Sequence, residues 1–140
     1  MTTKAELYLF ALSELENSTG DIISTAIVTH DALIMACTKS DTMHKETFAA
    51  YGAAAFKRAS ETMEELSGEN IDMLLYESEN HRVITMRAGI HALLVALTGK
   101  NVQMGLVLMN VQKTALKIKE LGGYQFMSLP YKFNYFLYLQ

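Results

Sequence analysis

The sequence predicts an α+β domain with the element order α-β-β-α-β-β-β-α: a five-stranded antiparallel sheet with helices on its faces, followed by a strand-like arm. Three observations predict it. Two segments with period-two alternation, one of two strands and one of three, lie on either side of a long helical pattern. Helical spacing recurs at both flanks. Strands gathered into runs, and not alternating singly with helices, belong to α+β folds with antiparallel pairing.

The first helix is read at 3–15. Thr3 with Glu6 three residues later makes a capping box, and Leu7, Phe10, Ala11 and Leu15 follow at helical spacing. The turn-rich stretch 17–21 is expected to end it. Over 22–29 the period changes to two, with β-branched residues on both faces, as in a strand covered on both sides. His30-Asp31 marks a tight reversal into a returning strand at 33–38. After a polar linker, Asp41 or Thr42 is placed to cap a second helix that runs to about Leu66 and stops at Ser67-Gly68. Its apolar line is Phe48, Gly52, Ala55, Phe56, Ala59, Met63 and Leu66, and the small residues of 49–55 permit another element to approach closely.

Three strands follow at 71–77, 81–87 and 91–98, the last apolar throughout and therefore central or covered. A final helix is expected over 102–121, with Met104, Leu108, Val111, Ala115 and Ile118 buried and Gly122-Gly123 as its stop. The division is thus a domain at 1–121 and an aromatic C-terminal arm at 122–140. Residues 124–140 hold seven of the thirteen phenylalanines and tyrosines. After Pro130 the arm alternates, with Tyr131, Phe133, Tyr135, Leu137 and Leu139 expected to pack on one side. A strand this apolar aggregates unless it pairs with a sheet edge of its own chain or of another.

Composition narrows the function. With 50% hydrophobic and only 19% charged residues, the surface is expected to need covering by a second copy or another partner. A net charge of −3 argues against nucleic acid, which requires clustered Lys and Arg. The longest apolar run, 90–97, is broken by His91 and falls short of the roughly 18 residues of a membrane span. Lys4 and Glu6 precede the first apolar run, unlike a signal peptide, so the expected location is cytoplasmic.

The search for chemistry returns little. Gly99-Lys100 and Gly122-Gly123 lack the spacing of a phosphate-binding loop. His30, His44, His81 and His91 have no partner at metal-ligand spacing, so neither metal nor cofactor is expected. Cys37, the single cysteine, reads as a small buried side chain; a catalytic thiol would need a histidine brought to it in space. Lys57, Arg58, Glu61, Glu64 and Glu65 form a charged end on the second helix, which as a solvated face would place Lys57 and Glu61 at i,i+4.

The early hairpin Thr25-Ala26-Ile27-Val28-Thr29-His30-Asp31-Ala32-Leu33-Ile34-Met35-Ala36, the helix segment Phe48-Ala49-Ala50-Tyr51-Gly52-Ala53-Ala54-Ala55, and the late runs Val83-Ile84-Thr85-Met86 and Leu93-Leu94-Val95-Ala96-Leu97 together resemble the roadblock family, which includes the roadblock dynein light chains and the bacterial and archaeal MglB-like proteins. The resemblance covers about residues 3–121. Many members carry Asp-Gly at the hairpin turn; here the pair is Asp31-Ala32, and alanine resists positive φ. The resemblance implies a non-enzymatic module that forms homodimers or heterodimers, its middle helices packed together and its sheets joined edge to edge. On this chain those elements are 43–66 and 71–77. The implied dimer interface is Phe48, Tyr51, Gly52, Ala55, Ala59, Ile71, Met73 and Leu75. It further implies binding or regulation of a small Ras-like GTPase, without an arginine finger, and makes the charged end of the second helix a partner-contact surface. A structural dimerisation adaptor is the alternative, and a small-molecule sensor with a pocket near Cys37 or His91 is a third reading.

Overall fold

The computed structural model describes residues 2–38, 44–101 and 103–126. Its elements are α1 (Lys4–Ser18), β1 (Ile22–Thr29), β2 (Ile34–Cys37), α2 (Lys45–Ser67), β3 (Met73–Glu77), β4 (Arg82–Arg87), β5 (Ala92–Thr98) and α3 (Met104–Phe126). The five strands form one sheet in the order β2-β1-β5-β4-β3, antiparallel at every step. Three of the pairings are local hairpins. The fourth, β1 with β5 from Ile22↔Thr98 to Thr29↔Ala92, joins the two halves of the chain.

The sheet is covered on both faces. Tyr8, Leu12 and Leu15 of α1 and Val107, Val111, Ala115 and Ile118 of α3 pack on Ile27, Ile84, Leu94 and Ala96. On the other face Phe48, Ala49, Ala53 and Phe56 of α2 pack on Ala26, Val28, Leu93 and Val95. The central strand β5 meets both layers, and all seven of its residues are buried. Its unbroken apolar run has this cause: both faces of the pleat are core.

Several boundaries differ from the sequence reading, each for a local reason. Thr3 caps α1 as expected, accepting from the Glu6 N–H at 3.1 Å. The helix continues through Asn17 to Ser18, whose hydroxyl donates back to the Leu15 carbonyl at 3.1 Å. The reversal comes at Gly20 and Asp21, both left-handed at φ 52° and 58°. Asp21 is held there by the loop after β5: its carboxylate accepts from the Asn101 N–H at 2.8 Å and its carbonyl from the Gly99 N–H at 2.9 Å. Helix α2 takes His44 as N-cap with no side-chain bond, in place of the expected Asp41 or Thr42, which lie outside the described residues. It ends as expected at Gly68, whose φ of 75° lets its N–H reach the Glu64 carbonyl at 2.8 Å.

At the first hairpin Ala32 does adopt a positive φ, 72°. Three bonds hold it there: Ala32 N–H to the Thr29 carbonyl (3.0 Å), Thr29 N–H to the Leu33 carbonyl (2.9 Å), and Leu33 N–H to Thr29 Oγ1 (3.0 Å). Strand β2 is trimmed to four residues, and β3 begins at Met73 and not at 71. Ile71 and Asp72 instead offer their carbonyls to Arg87, through its Nη2 at 3.1 Å and its N–H at 2.9 Å.

The largest correction concerns Gly122-Gly123. The pair does not stop α3, which runs on to Phe126, so the boundary expected at 121/122 falls inside a helix. Glycine weakens a helix interior by about 1 kcal/mol without breaking it. Gly122 lies beside α1, where a Cβ would meet the Tyr8 hydroxyl at 3.7 Å, an ordinary contact distance. Tyr131, Phe133, Tyr135, Leu137 and Leu139 lie outside the described residues.

Candidate interaction surface

Helix α2 is held to the sheet by its first half alone. Its buried residues are Phe48, Ala49, Gly52, Ala53 and Phe56. The contact is close because Gly52 lacks a Cβ, which would sit 3.1 Å from both γ-methyls of Val95. Arg87 reinforces the far end, its guanidinium 5.5 Å from the centre of the Phe56 ring. Beyond Phe56 no residue of α2 is buried, and Met63 and Leu66 face outward, Leu66 being 77% exposed.

The residues expected at a seam between subunits therefore divide. Phe48 and Gly52 are enclosed in the chain's own core, so the close approach that the small residues permit is to the chain's own sheet. Leu75 packs on the α1/α3 side and Ile71 on the α2 side. Tyr51 is 70% exposed, Met73 is exposed, and Ala55 and Ala59 are half-buried. Lys57, Arg58, Glu61, Glu64 and Glu65 all lie exposed on the outer half of α2, and none of the five pairs with another described charge.

Beside this helix the same face of the sheet is incompletely covered. Ile23, Tyr76, Val83 and Leu97 line an open, mainly apolar depression of about 620 Å³, rimmed by Glu77 and His81. Partial burial pushes the Tyr76 phenol above its ordinary range. Glu77 is held below the usual carboxylate range, first by the hydrogen bond from Arg82 Nε at 2.9 Å and then by Lys100 at 3.7 Å. Among the described residues β3 is also an end strand, paired only with β4, so its outer N–H and C=O groups meet no other described strand. The depression was not read from the sequence, because nothing local shows how far a helix extends over a sheet. Tyr76 carried a signal, a large aromatic residue at the boundary between Met73-Leu74-Leu75 and the polar run that starts at Glu77.

The remaining reactive groups do not converge. Cys37 is half-buried, its thiol donates to the Thr38 carbonyl at 3.4 Å, and burial pushes it above the ordinary thiol range, with Lys45 opposing and Glu16 and Glu46 adding to the rise. Glu16 accepts the Thr25 hydroxyl at 2.7 Å, and Thr38 Oγ1 bonds both the N–H and the carbonyl of Thr25, which ties β2 to β1. His30 bonds the Ile90 carbonyl at 3.1 Å. Among the described residues no three of His, Cys, Asp or Glu gather as a metal site, and no helix is long and apolar enough to cross a membrane.

The described residues thus form a three-layer module whose sheet ends in β2 and β3 and whose second helix stands half clear of the sheet. The Roadblock/LC7 domain profile matches residues 9–98, and the chain belongs to the Roadblock/LC7 family. Members of this family are generally non-catalytic regulators or adaptors. The uncharacterized protein MJ1340 of Methanocaldococcus jannaschii is 29% identical over 103 residues, spanning 74% of this chain and 90% of that one. Among solved structures, MglB of Myxococcus xanthus superposes with a TM-score of 0.79 at 13% identity, covering 89% of this chain and 93% of its own. An MglB described with a tetrameric arrangement gives 0.77 at 17%, covering 86% and 91%. At such identities the superpositions establish the shared fold.

Proposed function

We propose that the chain is a homodimeric module that binds a small Ras-like GTPase and scaffolds or regulates it without contributing a catalytic group. Three features support the dimer: the outer half of α2 overhangs the sheet beyond Phe56, the same sheet face keeps an open apolar depression toward its other end, and β3 is an end strand among the described residues. In a two-fold arrangement the β3 edges of two copies pair, and the outer half of α2 from each copy covers the partner's depression. Tyr51, Ala59, Met63 and Leu66 then become a continuous apolar seam. The GTPase contact falls to the charged outer half of α2, where Lys57, Arg58, Glu61, Glu64 and Glu65 have no described partner. The resemblance to roadblock proteins and the MglB-like fold support this reading.

The test is in two stages. Sedimentation of the full chain at tens of micromolar should give twice the monomer mass. The double variant Met63→Asp with Leu66→Asp changes residues that face outward in the single chain, so it should stay folded while weakening the dimer at least tenfold. A monomeric wild-type chain sinks the proposal. For the second stage, a Ras-like GTPase captured from native lysate on the immobilised dimer should change its hydrolysis rate when dimer is added. Capture with an unchanged rate favours the adaptor role.

A further inference from the structure

The opposite side of the molecule, away from α2 and the β3 edge, has an unfilled place of its own. Helices α1 and α3 run antiparallel, tied by Lys117 to Glu14 at 2.8 Å and by Asn110 to Thr19 at 2.8 Å. This brings the start of α1 and the last turns of α3 to one end of the domain, together with the turn at 88–91 and the first residues of β2. Between them lies a groove of about 270 Å³ with Tyr8, Met35, Ala92 and Ile118 in its lining and Lys4 and Lys119 among its walls. Beside it Leu33 and Ile90 are 66% and 81% exposed, and Ile34 is exposed as well. The adjoining strand β2 is the other end strand of the sheet among the described residues, and no described strand pairs with its outer backbone groups.

Helix α3 delivers the rest of the chain to this place. Gly122 lines the groove, and Phe126 follows one turn later. The next segment, 127–140, carries Tyr131, Phe133, Tyr135, Leu137 and Leu139 in alternation and a single charge, Lys132. Helix α3 lies over β5 and β4, and α1, whose start shares this end of the domain, lies over β1 and β2, so an extended chain gaining about 3.3 Å per residue would need about five or six residues after Phe126 to reach the free side of β2. Pro130 suits the approach to an end strand, where no N–H is required.

We propose that residues 127–140 fold back on their own chain, covering this groove with an aromatic side chain and adding a sixth strand along the free edge of β2. The added strand runs parallel to β2, because both leave the same end of the domain. One face of its alternation turns toward the groove and Ile90, the other toward the side of Ile34, and the free edge of β2 gains partners. The surface is distinct from the one assigned to dimerisation, so either assignment stands if the other falls.

Cys37, the single cysteine, lies on β2 and reports on this pairing. Three full-length variants, Phe133→Cys, Tyr135→Cys and Leu137→Cys, are oxidised mildly and resolved without reductant. At least one should form a disulfide to Cys37 within the same chain, since neighbouring strands bring Cα atoms within the required 4.4–6.8 Å or so. Amide exchange over 34–37 should be at least tenfold slower in the full chain than in one ending at Phe126. If that shortened chain fails to fold, the full-length pair Tyr131→Asp with Tyr135→Asp replaces it in the comparison. Disulfides formed only between two chains would overturn the proposal in favour of an exchanged arm. No disulfide at any of the three positions, with unchanged exchange at β2, would overturn it in favour of docking to another protein.

Discussion

A methyl group placed on Gly52 probes how closely α2 sits on the sheet. The added Cβ would lie 3.1 Å from both Val95 Cγ1 and Cγ2, where unstrained carbon pairs keep about 3.5–4.0 Å. Val95 has little room to retreat: it is fully buried, its χ1 is stiff, and its backbone is paired with Ala26 on one side and Thr85 on the other. Replacing glycine inside a helix favours folding by about 1 kcal/mol. Overpacking a filled core opposes it by roughly 1–3 kcal/mol. Gly52→Ala should therefore destabilise by roughly 0–2 kcal/mol despite its better helix propensity. Val95→Ala alone removes two buried methyls and costs about 2–3 kcal/mol. In that background the same Gly52→Ala should stabilise by about 1 kcal/mol, because the void accepts the new methyl. The double-mutant cycle then closes on a coupling of about 1–3 kcal/mol. Urea unfolding of the four proteins at one fixed concentration measures it. A coupling near zero, or a stabilising Gly52→Ala in the wild-type background, refutes the packing. A penalty that grows as the protein is diluted would instead put Gly52 at a seam between subunits.

Two further perturbations follow from single atoms. Thr85 is fully buried in β4 and its hydroxyl has no partner among the described residues, so Thr85→Val should raise stability by about 1 kcal/mol, read as a higher urea midpoint. An unchanged or lower midpoint would mean that the hydroxyl is satisfied after all. Glu77 has a folded-state pKa below its ordinary 4.5, chiefly through the Arg82 hydrogen bond. A depressed carboxylate stabilises the fold above its unfolded value, and the stabilisation is lost as pH falls through the folded one. A carboxyl-resolved NMR titration should place the Glu77 midpoint under 4.5, and Arg82→Gln should move it upward. No movement would remove Arg82 as the cause.

The alternating and helical periods of this chain determine element type and order because those signals are local: a pleat repeats every two residues and a helix every 3.6. Thr3, Ser67-Gly68 and the continuous apolar run of β5 were legible for the same reason. Boundaries depend on neighbours distant in sequence. Asp21 holds its left-handed turn through Asn101 and Gly99, and Ile71 and Asp72 leave β3 to serve Arg87.

Charge and apolar content by themselves raise the expectation of a partner surface, and the pattern of elements placed the chain among roadblock proteins. Only the tertiary structure decided which surface is left open. The sequence assigns Gly52 and Phe48 to the same apolar line as Met63 and Leu66, yet the sheet ends beneath α2 near Phe56, enclosing the first pair and leaving the second exposed. A helical stripe shows which side of a helix seeks cover. How much cover its own chain supplies is set by the width and twist of the sheet beneath it, through the non-local pairing of β1 with β5.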